Sequence, residues 1–136
     1  LIQLDRQDEA LPLINKIRQR AANSLENLKT ADGSYILNYK CELYKPGVNC
    51  TWTKEFAWKA MEWENRLELA CEGRRFFDLQ RWGTLEKTMN AYFAVERNRF
   101  DWMNIARFTA GRDEFFPISQ AQMKWAKGNY TQNPGY

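Results

Sequence analysis

The stretch Glu64-Asn65-Arg66-Leu67-Glu68-Leu69-Ala70-Cys71-Glu72-Gly73-Arg74-Arg75-Phe76-Phe77-Asp78-Leu79-Gln80-Arg81-Trp82-Gly83 sets large apolar residues and charges at helical spacing on both sides of one glycine. Such spacing belongs to two helices that each bury one stripe, and the glycine lets the chain turn between them. The stretch therefore predicts a packed helix corner and not a surface loop. Glu64, Glu68 and Glu72 fall four apart on one helix, which invites an acid–base reading. Two carboxylates that cleave a glycosidic bond have to face one another across it, whereas these point the same way. A charge network tying the corner together, with Arg66, Arg74, Arg75, Asp78 and Arg81 as partners, is the simpler reading.

The rest of the chain reads as mostly α with long loops and little β. A helix pair is expected around residues 1–22: an apolar opening, Leu1-Ile2-Gln3-Leu4, resembles the end of a helix whose beginning is missing. After a polar turn, Ala10, Ile14, Ile17 and Ala21 line one helical face. Asp8 is the expected cap and Pro12 is expected in the first turn. Residues 23–52 read as loop and short strand, with Asp32-Gly33 as a turn and alternation from Tyr35 to Leu43 before Pro46-Gly47. The region 53–98 is helical: Thr53 caps a helix striped by Phe56, Ala60, Trp63, Leu67, Ala70 and Cys71. A shorter helix follows from Arg75 to Trp82, and Thr84 starts a third with Leu85, Met89, Tyr92 and Phe93 inward. Residues 99–136 form loop and tail. There Phe100 to Asp113 is expected to be a surface loop and Phe115 to Ile118 a buried extended piece. Ser119 and Gln122 form a capping box for a short helix.

A chain of 136 residues suffices for one domain or one piece of a larger one, and it can bury roughly two-thirds of its unfolded surface. Twenty Lys and Arg against seventeen Asp and Glu give a net charge of +3 with the signs mixed, so the basic stripe of a nucleic-acid binder is missing. No apolar run approaches the roughly 18 residues of a membrane helix. With no histidine in the sequence, a serine triad and a histidine-containing zinc site are excluded within this segment. The three cysteines show no Cys-x-x-Cys spacing, and no glycine-rich phosphate loop occurs, so neither a metal nor a cofactor is expected. Cys41 and Cys50 flank the Pro46-Gly47 turn, and a bridge between them, worth roughly 2–3 kcal/mol, stays open beside two free thiols. Cys71 is expected to be a small buried hydrophobe. Asn49-Cys50-Thr51 matches a glycosylation triplet, a frequent accident.

Aromatics make up 15% of the residues. Trp58, Trp63 and Trp82 sit in helical stripes and are expected in the core. Trp52 and Trp102 lie in less regular, polar surroundings where a ring can stack on the apolar face of a sugar, and Asn104 and Arg107 can add hydrogen bonds. Trp52, Trp102 and Asn104 are accordingly the candidate ligand-binding residues.

Three motifs, in order, carry a family resemblance. Asn15-Lys16-Ile17-Arg18-Gln19-Arg20-Ala21 is similar to N-x-x-R-x-R-A, and the Glu64 to Gly83 stretch to E-R-R-x-E-L-x-x-E-G-x-R-F-x-D-L-x-R-W-G. The close, Phe116-Pro117-Ile118-Ser119 and Gln132-Asn133-Pro134-Gly135-Tyr136, is similar to F-P-I-P and Q-N-P-G-Y. Together they resemble the C-terminal region of the SusD/RagB family, with departures at Asn65, Arg74 and Ser119. The resemblance implies part of an α-helical, tetratricopeptide-type superhelix. It also implies a non-enzymatic, lipid-anchored protein of the cell outer membrane that captures oligosaccharides for a SusC-type TonB-dependent transporter. Its partners would be that transporter, the glycan and an N-terminal part of the same protein. The lipid, and most of the ligand site, would lie outside this segment. A peptide-binding member of the family, or a helical-repeat module that grips another protein, remains the alternative, with a glycosidase third.

Overall fold

The computed structural model describes residues 1–36 and 40–136, in two compact units, Leu1–Ala70 and Cys71–Tyr136. Five α-helices carry the fold: α1 (Gln7–Asn23), α2 (Lys54–Glu68), α3 (Arg75–Arg81), α4 (Leu85–Glu96) and α5 (Gln120–Trp125). Among the described residues there is no sheet, only two isolated bridges, Lys29 with Tyr35 and Pro46 with Cys50. The mostly helical architecture is the expected one. Of the expected strand, residues 37–39 lie outside the described residues, and what flanks them forms no ladder.

In the first unit, α1 and α2 lie side by side. Trp52 reaches Gln7 near one end, and Arg18 reaches Glu64 and Arg20 reaches Glu68 near the other, so partner numbers rise together and the helices run in the same sense; Lys54 also reaches Asp5. Residues 24–53 must return the chain along their length. Ile2, Ala10, Ile14 and Ala57 form the core, closed by Tyr44, Trp52, Trp58 and Met61. Ala10 and Ile14 keep their expected places, but the helix starts one residue ahead of Asp8 and takes no side-chain cap. Pro12 is the sixth helical residue, not a first-turn residue, so α1 runs through it without the bond that an N–H at this position would give to Asp8. Asp8 and Glu9 instead complement the positive end of the helix dipole.

Thr53, with ψ 167°, accepts from the Phe56 N–H and caps α2 as expected. The inward stripe of α2 is rotated from the expected one: Ala57, Ala60 and Glu64 are buried, while Trp63 and Leu67 are exposed. Small alanines allow α1 to approach, and burial of Glu64 is compensated by Arg18, so the ion pair overrides the apolar pattern. The helix ends at Glu68, and Cys71, with φ 66°, lies exposed in the turn that follows. It is not the buried hydrophobe expected. All three cysteines are free thiols; Cys41 Sγ donates to the Arg18 carbonyl at 3.5 Å.

In the second unit, Leu79, Leu85 and Phe108 make the core with Phe76, Trp82, Met89 and Phe93 around them. Gly83, at φ 70°, lets its N–H return to Gln80 while the Thr84 N–H returns to Leu79, the paired bonds of a glycine-terminated helix. This arrangement holds Thr84 at ψ 4°, so its hydroxyl cannot reach over α4 and makes no cap. Tyr92 is exposed, unlike Leu85, Met89 and Phe93 on the same helix. Ser119, at ψ 145°, accepts from the Gln122 N–H, giving half of the expected capping box. Phe115 and Phe116 are exposed and not buried. The tail nonetheless returns to them: Asn133 Nδ2 donates to the Phe116 carbonyl at 2.7 Å and the Tyr136 hydroxyl to that of Phe115 at 3.0 Å.

Candidate ligand-binding site

The segment expected as a surface loop is a built turn. Leaving α4, the Phe100 N–H returns to Glu96, and a 3-10 turn forms over Asp101–Met103. Met103 points inward and is buried, which forces its neighbours Trp102 and Asn104 outward. Arg97 Nη2 donates to the Ala106 carbonyl at 2.8 Å and ties the two ends of the turn. Phe108 then enters the second core, held by Asn90: its N–H donates to Asn90 Oδ1 at 2.9 Å and its carbonyl accepts from Nδ2 at 3.0 Å. The turn is thus anchored on both sides while its crest is open.

That crest carries Trp102, 71% exposed, and Ile105, 93% exposed. Phe100 supports Trp102, with ring centroids 5.8 Å apart and planes inclined by 38°. Asn104 shares the turn and is exposed, as is Arg107. An aromatic plate, a side-chain amide and a guanidinium on one rigid loop can stack on an apolar face and bond a polar edge.

Trp52 sits differently, in the first unit. Its indole N–H donates to the Gln7 carbonyl at 3.0 Å, and its ring lies 5.6 Å from Tyr44 and 5.8 Å from Phe56. It is half-buried, part of the wall around the first core. Trp102 and Asn104 therefore share one turn, and Trp52 belongs to another constellation.

Of the three carboxylates that suggested a reactive cluster, Glu64 and Glu68 are held by α1, not by the corner arginines. Arg18 Nη1 lies 2.5 Å from Glu64 Oε1, Arg18 Nε donates to the Glu42 carbonyl, and the guanidinium sits 4.3 Å from the Tyr44 ring centroid. Burial alone would lower the Arg18 pKa, yet Glu64 outweighs it and the net shift is upward. Burial likewise raises the Tyr44 hydroxyl, against the pull of Arg18. Arg20 pairs with Glu68 in the same way one turn on. Arg81, from the corner, pairs with Asp78 at 2.6 Å. Every one of these groups has a structural partner.

The sequence matches the SusD family over residues 1–136. The chain belongs to that family. No curated protein matches it. SusD family proteins are nutrient-binding proteins of the cell surface, associated with the outer membrane, and the mostly helical arrangement of the described residues agrees with their helical fold. No helix among the described residues is long and apolar enough to cross a membrane, and none of those residues form a cluster of three or more metal-ligating side chains. Sequence reasoning also missed a cleft in the first unit, of about 370 Å³ and lined by Ile2, Gln3, Lys54, Glu55 and Trp58. Trp58 had read as core because it falls in a helical pattern beside other large apolar residues. Its signal is the polar trio Gln3, Lys54 and Glu55, of which Gln3 is brought to the ring only by the fold.

Proposed function

We propose that this chain is part of a non-enzymatic glycan-capturing subunit, anchored at the outer membrane by lipid, that passes oligosaccharides to a SusC-type TonB-dependent transporter. Family membership supports the class, and the exposed Trp102 ring on an anchored turn is the observation that supports a sugar contact. In this reading Trp102 stacks on a pyranose, Asn104 and Arg107 bond its hydroxyls, and Trp52 chiefly holds the first unit in shape. Loss of one stacked ring costs about 1.4 kcal/mol, a tenfold loss of affinity. Titration of the protein against a glycan panel tests this: Trp102→Ala should weaken the best ligand about tenfold while leaving the circular dichroism spectrum intact. Unchanged affinity in that variant would remove the turn from the site. A protein-gripping role is the second reading, favoured by the exposed Phe116 and Trp125. It predicts a protein partner whose binding no sugar competes.

A further inference from the structure

We propose that the cleft between the Ile2–Leu4 turn and the first turn of α2 is a separate sugar subsite that takes one neutral pyranose ring against Trp58. The inference rests on the glycan reading for its ligand class, but on different residues. Its volume of about 370 Å³ lies near the lower end of the roughly 300–1,000 Å³ of small-molecule sites, which suits one ring and not an extended chain. Ile2 is buried and forms the floor, and the half-buried Trp58 forms a flat wall. A purely apolar occupant would cover the polar rim without offering it any hydrogen bond.

The rim selects the charge of the ligand. Lys54 Nζ is held 2.6 Å from Asp5 Oδ1 and 3.4 Å from the Gln3 carbonyl, so the cation is fixed before any ligand arrives. Glu55 is kept ionised below the usual carboxylate range by its own backbone N–H and by the Thr53 hydroxyl. An acidic ligand would meet Glu55 beside a Lys54 already neutralised by Asp5, and an amine would meet Lys54. A hydroxyl both donates and accepts, so a ring edge of hydroxyls satisfies the ammonium, the carboxylate and the Gln3 amide together. Its C–H face is then left for Trp58.

The test is nitrogen-15 NMR of the whole chain titrated with methyl glycosides of glucose, galactose, mannose and xylose, and with methyl glucuronide as the charged probe. At least one neutral glycoside should shift the Gln3 amide and the Trp58 indole signal saturably. Gln3→Ala and Glu55→Ala, both at exposed positions, should weaken it at least fivefold with the rest of the spectrum unmoved. The glucuronide should bind at least fivefold more weakly than its neutral counterpart. If the Trp102 signal responds to glycans and the cleft signals do not, the subsite is wrong and the reading of the turn stands. If the cleft responds and Trp102 does not, the reverse holds. Silence at both, or equal binding of the glucuronide, overturns the subsite.

Discussion

Replacing Glu64 with alanine separates burial from charge, because Glu68 offers the same chemistry one turn along α2 with a more exposed partner. Arg18 and Glu64 side chains are 18% and 10% exposed; Arg20 and Glu68 are 68% and 30% exposed. Removing one member of a buried pair costs about 3–5 kcal/mol, because the other charge stays desolvated and unmatched. Arg18 keeps its bond to the Glu42 carbonyl and its place over the Tyr44 ring, and a cation on an aromatic face recovers roughly 0.5–2 kcal/mol. The expectation for Glu64→Ala is therefore near the lower limit, about 3 kcal/mol. Exposed pairs contribute about 0.2–1 kcal/mol, so Glu68→Ala should cost less than about 1 kcal/mol. Amide hydrogen exchange along α2 reads the first unit directly, whatever the second does on unfolding. The double variant Arg18→Met, Glu64→Leu should recover most of the loss, since well-packed apolar groups can replace a buried pair. A loss for Glu64→Ala below about 1 kcal/mol, or one equal to that of Glu68→Ala, would refute the argument.

Asn90→Asp places an oxygen where the amide donated to Phe108, so exchange protection across α4 should fall by about 2 kcal/mol; unchanged protection would mean that the pairing holds nothing. Gly135→Ala puts a Cβ 2.7 Å from Arg112 Cγ at a backbone φ of 83°, and the left-handed conformation alone costs roughly 1–2 kcal/mol. The tail should loosen and carboxypeptidase should remove Tyr136 faster, an expectation that an unchanged trimming rate would contradict. Asp32 has its carboxyl lowered from 3.8 to about 2 by the Ser34 and Thr30 hydroxyls and the Ser34 N–H. A depressed carboxyl stabilises above its unfolded pKa, so the Thr30–Ser34 turn should hold above pH 3.8 and loosen as pH falls through about 2. Carboxyl carbon-13 titration gives the midpoint, and a value near 3.8 would disprove the hydrogen bonding.

What was legible in the sequence was local. Thr53 and Ser119 were readable as caps because each is free to adopt the extended ψ a cap needs. Thr84 has the same chemistry but is also the residue that closes the end of α3, and one backbone cannot meet both demands. The stripe of α2 misled because periodicity weighs Trp63 and Leu67 above Glu64, while only the fold reveals that Arg18 waits opposite. Trp102 was legible as a ring in polar surroundings; that Met103 beside it is the anchor was not, since the two differ only in which side of a 3-10 turn they occupy. The cleft was illegible because Ile2 and Gln3 on one side of it lie some fifty residues before Lys54, Glu55 and Trp58 on the other.

A fold with no sheet among its described residues has to satisfy extended backbone in another way, and the side-chain amides do so. Asn15 pairs with both the N–H and the carbonyl of Tyr44, Asn90 with those of Phe108, and Gln132 with those of Ile118, each at 2.8–3.0 Å. Each amide offers one donor and one acceptor in the spacing that a neighbouring strand would present. Asn49 is occupied similarly, accepting from the Lys45 N–H and donating to the Leu43 carbonyl, which explains why its triplet needs no sugar to account for the asparagine. Asn15 and Gln132 belong to the motifs that carry the family resemblance, and Arg18, Glu64 and Asp78 of those motifs are likewise held in internal pairs. Motif residues are thus consumed by building the scaffold. In the proposed reading, the ligand contacts come instead from Trp102, Asn104 and the rim of the Trp58 cleft, all outside those motifs.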